Sequence, residues 1–351
     1  MTLPLEPDLA PMLAKLGNEL PEGDEWSYEP KWDGFRALVF RDDDEISIQS
    51  RDQRTLERYF PELPRLLTGN LPERCVVDGE IIIPGTEGLD FGALLQRIHP
   101  ADSRVRMLAE ATPASFVAFD LLALNDDAFL EEPLSERRAR LGEELGTIDG
   151  DVTAAIRNVA TSGRAHKRFM TGTWTSDAKV AQNWMDEFER VGLDGIVAKQ
   201  LDSTYLPNKR GWVKVKQHRT VDCVVGGYRL SKAGDGIGSL LLGLYNDAGQ
   251  LHYIGHTSSF KAAERREILQ KVKPLEGGES FGGARAPGGP SRWTGGRDTS
   301  WVPLTPTLVC EVGYDRMLGE RFRHAVTFLR WRSERAPKSC TFDQLPGFLR
   351  P

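Results

Sequence analysis

Cysteine is scarce in this sequence. Its four residues, Cys75, Cys223, Cys310 and Cys340, stand far apart with no Cys-x-x-Cys pair. That spacing argues against a disulfide framework and a cysteine zinc site, and leaves idle thiols. Histidine is nearly as sparse: of six, only His252 and His256 have a spacing that converges ligands on a helix. They flank a strand-like Tyr-Ile-Gly, so no metal role is expected of them. Long apolar runs are missing too. Ser239 to Tyr245 is among the strongest and is only strand-sized, so no membrane span is expected. The N-terminus, Met-Thr-Leu-Pro-Leu-Glu-Pro, has no basic region and no apolar core and does not read as a signal peptide. A surplus of positive charge is also lacking, with 45 Lys and Arg against 51 Asp and Glu and a net charge of -6. Nucleic-acid binding would therefore rest on local basic patches, and a passive DNA coat is disfavoured. The expected setting is the cytoplasm.

What is present is an ordinary globular balance, 40% hydrophobic and 27% charged over 351 residues, enough for two or three domains. Two β-like runs between Trp26 and Ile48 surround the stretch Lys31-Trp-Asp-Gly-Phe-Arg36, and the acidic run 42–45 reads as a hairpin tip. Residues 55–67 read as a proline-broken helix and 91–98 as a helix. Phe116 to Leu124 reads as a buried strand, 133–145 and 180–189 as amphipathic helices, and 192–199 and 212–216 as strands. The predicted architecture is an α+β domain with antiparallel sheets over 1–217. After it the texture changes to five short strands and one helix (260–271), the pattern of a small Greek-key barrel of the OB type, over 218–351. Residues 277–297 are Gly/Pro-rich, with Arg285, Arg292 and Arg297, and read as a long loop.

Several residues could carry chemistry. The Lys31 hexapeptide puts an amine nucleophile, a turn and a guanidinium within six residues, although alone it also reads as a lysine before an Asp-Gly hairpin turn. Lys214 and Lys216 alternate along one strand and so share a face. Such a pair suits an anion between two ammoniums, or a protected strand edge. Glu80 and Asp194 are acids inside apolar strands, either turn residues or ligands for a hard cation. Phe119 would ordinarily be core. Near the C-terminus Arg323, His324, Arg330, Arg332 and Arg335 surround Phe328 and Trp331, a mixture that suits a solvated face or phosphate contact.

Taken in order, these stretches resemble the nucleotidyltransferase motifs of ATP-dependent DNA ligases. Lys31 to Arg36 resembles motif I, and Ser50-Arg51 the Ser-Arg motif after it. Asp78-Gly-Glu80 resembles motif III, Phe119-Asp120 motif IIIa, and Asp194 to Lys199 motif IV. Trp212 to Lys216 resembles motif V, and Arg330-Trp-Arg332-Ser-Glu334-Arg335 motif VI. The Pro11-Met-Leu-Ala-Lys15 start and the short length resemble the compact LigC-type ligases of actinobacteria. The resemblance implies an α+β nucleotidyltransferase fold, ATP-grasp-like, followed by an OB-fold barrel. It implies that Lys31 attacks the α-phosphorus of ATP, that Glu29 lies at the adenine edge and that Phe119 stacks on its face. Glu80 and Asp194 would hold the ribose or a divalent metal, magnesium or manganese, and Lys214 and Lys216 the α-phosphate. Arg36, Arg51 and Arg210 would receive the 5′-phosphate of a nick, while Arg330 and Arg332 would swing over the pyrophosphate. The implied partner is nicked double-stranded DNA, with other repair proteins in prospect, for a monomer at the nucleoid. Two departures stand out: motif IV begins with Asp194 where the family usually has Glu, and motif VI ends Glu334-Arg335 rather than Asp-Lys. The rival readings are an RNA ligase or capping-type nucleotidyltransferase and a non-catalytic DNA-end-binding protein. The loop 277–297 is a candidate DNA contact.

Overall fold

The computed structural model describes residues 1–85, 88–146, 168–191, 193–216, 219–282, 287 and 300–345. It divides into two compact units, Met1–Gln217 and His218–Pro351.

The first unit carries ten strands: β1 Leu13–Gly17, β2 Trp26–Pro30, β3 Phe35–Asp42, β4 Glu45–Ser50, β5 Arg74–Ile82, β6 Ser115–Leu124, β7 Asp127–Ala128, β8 Phe169–Thr171, β9 Ile196–Gln200 and β10 Arg210–Val215. They form a four-stranded sheet, β1-β10-β9-β2, and a six-stranded sheet, β4-β3-β5-β6-β7 with β8 beside β6. Pairing is antiparallel except for β1 with β10 and β6 with β8.

The apolar runs of β5 and β6 are continuous because both faces of these strands are covered. Cys75, Val77 and Ile81 point into one core with Leu63, Leu67 and Leu141, while Val76 points into another with Leu38, Tyr205 and Trp212. Trp212 comes from the smaller sheet and Leu38 from the larger, so this second core lies between the two sheets. Burying each such side chain contributes about 1.5–3 kcal/mol, which is what holds the sheets face to face.

The helices are α1 Leu63–Thr68, α2 Phe91–Gln96, α3 Asp102–Ala111, α4 Leu134–Leu145 and α5 Ala178–Val191. Of the helix read over 55–67 only the last part forms, with a proline in its first turn. α3 buries only Val105 and Ala109, too short an apolar stripe to mark a helix in the sequence. The acidic tip joins β3 to β4 as read, with Asp43 at φ 55°. Asp33-Gly34, however, is no hairpin turn. β2 pairs with β9 and β3 with β4 and β5, so the dipeptide carries the chain from one sheet to the other. Gly34 is required there because a Cβ would lie 2.2 Å from the Ile81 carbonyl oxygen.

The second unit contains β11 Arg219–Leu230, β12 Ile237–Tyr245, β13 Leu251–Thr257, β14 Val302–Pro303, β15 Val309–Tyr314, β16 Met317–Leu318, β17 Arg321–Phe322, β18 Thr327–Trp331 and the helix α6 Ala262–Val272. Its main sheet is antiparallel, in the order β13-β12-β11-β15-β18, and β14 adds to β11. Leu240, Leu242, Ile254, Val309 and Val312 form its core, capped by Ile268 and Val272 of α6. At the two edges, one isolated bridge connects Thr257, at the end of β13, with Val326, just before β18. The OB-like sheet is thus curled, and among the described residues its ladder is not a closed barrel. Most of the loop 277–297 lies outside the described residues. Among the described residues no helix is long and apolar enough to cross a membrane.

Candidate active site

Lys31 follows β2 and is pinned through its backbone to the turn before β9. Its N–H donates to the Gly195 carbonyl at 2.8 Å, and its own carbonyl accepts from the Asp194 N–H at 3.0 Å. Gly195, at φ 131°, has no room for a side chain, since a Cβ would lie 2.1 Å from the Val215 carbonyl oxygen. The motif IV turn is thereby pressed against the end of β10. The Lys31 ammonium donates to Asp194 Oδ2 at 2.5 Å, and Lys216 Nζ lies 3.0 Å from the same oxygen. Burial pushes the Asp194 carboxyl upward, but the two ammoniums outweigh it and hold the group well below the usual carboxylate range. The Lys214 ammonium is pushed down by burial and by the charges of Lys31 and Lys216. Glu80 accepts from the Gly34 N–H at 3.2 Å. Burial raises its carboxyl to about 8 against the pull of Lys31 and Arg36. Lys31, Glu80, Asp194, Lys214 and Lys216 therefore converge, three ammoniums beside one firmly ionised carboxylate. That arrangement suits a polyanion.

Among the described residues no three His, Cys, Asp or Glu side chains cluster as a metal cage. Glu80 and Asp194 are nonetheless hard oxygen donors of the kind that fits magnesium, which is usually held by one or two carboxylates together with substrate phosphates and waters.

A second group lies at Glu29 on β2. Glu29 is buried, and both of its carboxylate oxygens are engaged: Arg138 of α4 bonds Oε1, and Lys199 Nζ lies 2.7 Å from Oε2. Arg138 also donates to Ser27 Oγ at 3.0 Å, and its guanidinium lies 4.5 Å from the Trp174 ring. The Lys199 ammonium lies 4.5 Å from the Phe119 ring and 4.2 Å from Trp212. Burial lowers its affinity for the proton, while Glu29 and Asp120 oppose that effect. Asp120, next to Phe119, is fully buried and takes a bidentate bond from Arg137 at 2.8 and 3.0 Å. Phe119 is only partly buried, unlike an ordinary core residue, and Lys199 links it to Glu29.

Most of the other expected site residues have partners of their own. Arg36 was expected at a nick phosphate. It lies instead diagonally across from Asp78 on the paired strands β3 and β5, and the two form a bidentate pair at 2.9 and 2.5 Å. Its guanidinium lies 4.5 Å from the Trp212 ring, and Tyr205 donates to Asp78 at 2.7 Å. Burial opposes the charge, yet Asp78 more than offsets it and raises the Arg36 proton affinity. Arg51 is exposed, 3.3 Å from Asp52, and Arg210 is exposed where β10 begins. In the second unit, Arg330 bonds Glu311 at 2.7 Å, and Arg332 bonds Asp222 at 2.9 Å and Glu334 at 2.5 Å. The motif VI arginines are thus held by carboxylates of their own unit. Sequence reasoning did not single out Asp78, Arg137, Arg138, Lys199, Tyr205 or Trp212 as site residues. Lys199 and Trp212 stand inside quoted motifs and were within reach, whereas nothing local marks Arg137 and Arg138.

Comparison with known proteins matches residues 10–216 to the ATP dependent DNA ligase domain and residues 233–335 to the ATP dependent DNA ligase C terminal region. DNA ligase C1 of Mycolicibacterium smegmatis is 50% identical, over 98% of this chain and 96% of the relative. DNA ligase C of Mycobacterium tuberculosis is 49% identical with the same coverage. A solved structure from a study of Lig E DNA ligases shares the fold with a TM-score of 0.53 at 16% identity, over 92% of this chain and 99% of that one.

Proposed function

The chain belongs to the ATP-dependent DNA ligase family, and from that premise we propose that Lys31 is the residue that carries AMP between ATP and a nicked duplex. The observation behind this is the convergence of Lys31, Lys214 and Lys216 on Asp194, with the Lys31 amine 2.5 Å from the carboxylate that aims it. In the first step Lys31 Nζ, as the free amine, attacks the α-phosphorus of ATP. A P–N bond forms, the bond to the bridging oxygen breaks, and pyrophosphate leaves. In the second step a 5′-phosphate oxygen of the nick takes the AMP and frees Lys31. In the third the 3′-hydroxyl attacks the 5′-phosphorus, and AMP leaves as the phosphodiester forms. The chain contributes positioning and charge. Asp194 directs Lys31, Lys214 and Lys216 neutralise phosphate oxygens, and Glu29 and Phe119 take the base. Arg51 and Arg210, both exposed, are free to meet the 5′-phosphate. Arg330 and Arg332 are the groups to meet the pyrophosphate once they leave their acidic partners. A divalent metal bound by Glu80 and Asp194 would add charge neutralisation at the phosphates.

The decisive experiment incubates the protein with α-labelled ATP and a divalent metal, beside Lys31→Ala. Labelling of the wild type alone supports the reading, and equal labelling of both, or of neither, overturns it. Asp194 reaches about 1.5 Å less far than glutamate, so manganese should be tolerated better relative to magnesium than in Asp194→Glu. Equal use of both metals, unchanged in that variant, would count against Asp194 as a metal ligand. We place the protein in DNA repair, acting as a monomer at the nucleoid with other repair proteins. No observation favours the RNA-ligase, capping or non-catalytic readings.

A further inference from the structure

The two groups assigned to the nucleotide base, Glu29 and Phe119, stand on strands of different sheets. They are nevertheless tied into one ring of contacts that runs through α4. Phe119 is followed by Asp120, whose carboxylate is clamped by Arg137 at 2.8 and 3.0 Å. Arg137 is followed by Arg138, which bonds Glu29. Glu29 pairs with Lys199 at 2.7 Å, and the Lys199 ammonium returns to Phe119 at 4.5 Å from its ring. All five charged members of this ring are buried.

Desolvated charges persist only where geometry and partners offset their burial, so such a ring is stiff. It fixes the Glu29 carboxylate by one cation on each oxygen. Arg138 is itself fixed by Ser27 Oγ at 3.0 Å and by the Trp174 ring, with its guanidinium carbon 4.5 Å from the centroid. A carboxylate held this way is an acceptor that cannot swivel. It accepts an amino group at one position of a base and offers nothing to an oxygen there.

We infer that Arg138, with Arg137 as its anchor, is a specificity-determining positioning residue. α4 sets how far the Glu29 acceptor stands from the plane of Phe119, and so selects a purine that carries an exocyclic amino group where adenine does. This rests on the assignment of Glu29 and Phe119 to the base. Neither arginine touches the reacting atoms, so the chemistry at Lys31 is outside their reach.

The test measures single-turnover adenylylation of Lys31 in wild type, Arg138→Gln and Arg138→Lys. Arg140→Gln is the control: Arg140 lies on the same helix, exposed and stacked on Phe129. The substrates are ATP, GTP and 2-aminopurine riboside triphosphate, which carries its amino group elsewhere. A charge-assisted hydrogen bond is worth roughly tenfold or more in affinity. Arg138→Gln should therefore raise the ATP concentration for half-maximal rate by about tenfold and narrow the preference for ATP by a similar factor. The rate at saturating ATP should stay near wild type. Arg138→Lys should recover only part of this, because an ammonium cannot bond Ser27, bond Glu29 and stack on Trp174 together. Arg140→Gln should match wild type. An unchanged half-saturation and an unchanged ATP preference in Arg138→Gln overturn the inference. If Arg138→Gln does not fold, as judged by its thermal transition, Arg138→Lys decides by the same two readouts. A wild type that does not label Lys31 refutes the assigned function instead.

Discussion

The two ends of the site are built on opposite principles. At the base end Glu29, Asp120, Arg137, Arg138 and Lys199 are buried, and each charge faces another in a fixed geometry. At the phosphate end Lys31 and Lys216 stay 22% and 27% exposed and share one oxygen of Asp194, with Lys214 close by. At the first end every charge already has an opposite partner. The second sets three ammoniums around one carboxylate, a group that a polyanion completes under the function proposed above. Under the proposed function, a rigid reader of the base and an adaptable receiver of phosphates suit successive phosphoryl transfers at one lysine, because the phosphates change partners while the base stays put.

Substitutions at the two ends should separate accordingly. The largest effect expected is on stability at the base end. Arg137→Met strands the Asp120 charge in the interior and should cost about 3–5 kcal/mol, read as a lowered denaturant midpoint. At the phosphate end Lys216→Met should slow adenylylation by about a hundredfold while stability changes by less than about 1 kcal/mol. A large loss of stability in Lys216→Met would break the contrast. A smaller effect should appear in the dependence of stability on pH. Glu80 is raised from 4.5 to about 8. Between those values the folded chain keeps a proton that the unfolded chain has released, so this group makes stability fall as pH rises across that window. Denaturant midpoints of Glu80→Gln should show a shallower decline than wild type from pH 5 to 8. The smallest effect is at Cys75, far from either end, whose thiol burial pushes up to about 12. Native protein at pH 8 should resist iodoacetamide at that residue, and Cys75→Ser should leave labelling by ATP unchanged.

Much of the frame was legible in sequence. The unbroken run Phe116–Leu124 reads as a buried strand, and β6 spans Ser115–Leu124. The alternation of Lys214 and Lys216 put both ammoniums on one face, and both act on the same cluster. Asp33-Gly34 misled because hairpin chemistry is local, while the partners of β2 and β3 lie far along the chain. Arg36 shows a related limit. Its motif position says nothing of Asp78, 42 residues away, which claims its guanidinium.

By itself the sequence determined which residue types stand in which order: a lysine before an Asp-Gly, acids in apolar strands, paired lysines, and two textures of chain. Those are local properties, written in side-chain chemistry and period. Only the tertiary structure decided which charges meet. Glu29 finds Arg138 109 residues on, and Lys31 finds Asp194 163 residues on. Such pairs form because burying two apolar sheets against each other brings their strand ends together. A buried charge then has to take whatever opposite charge that packing delivers.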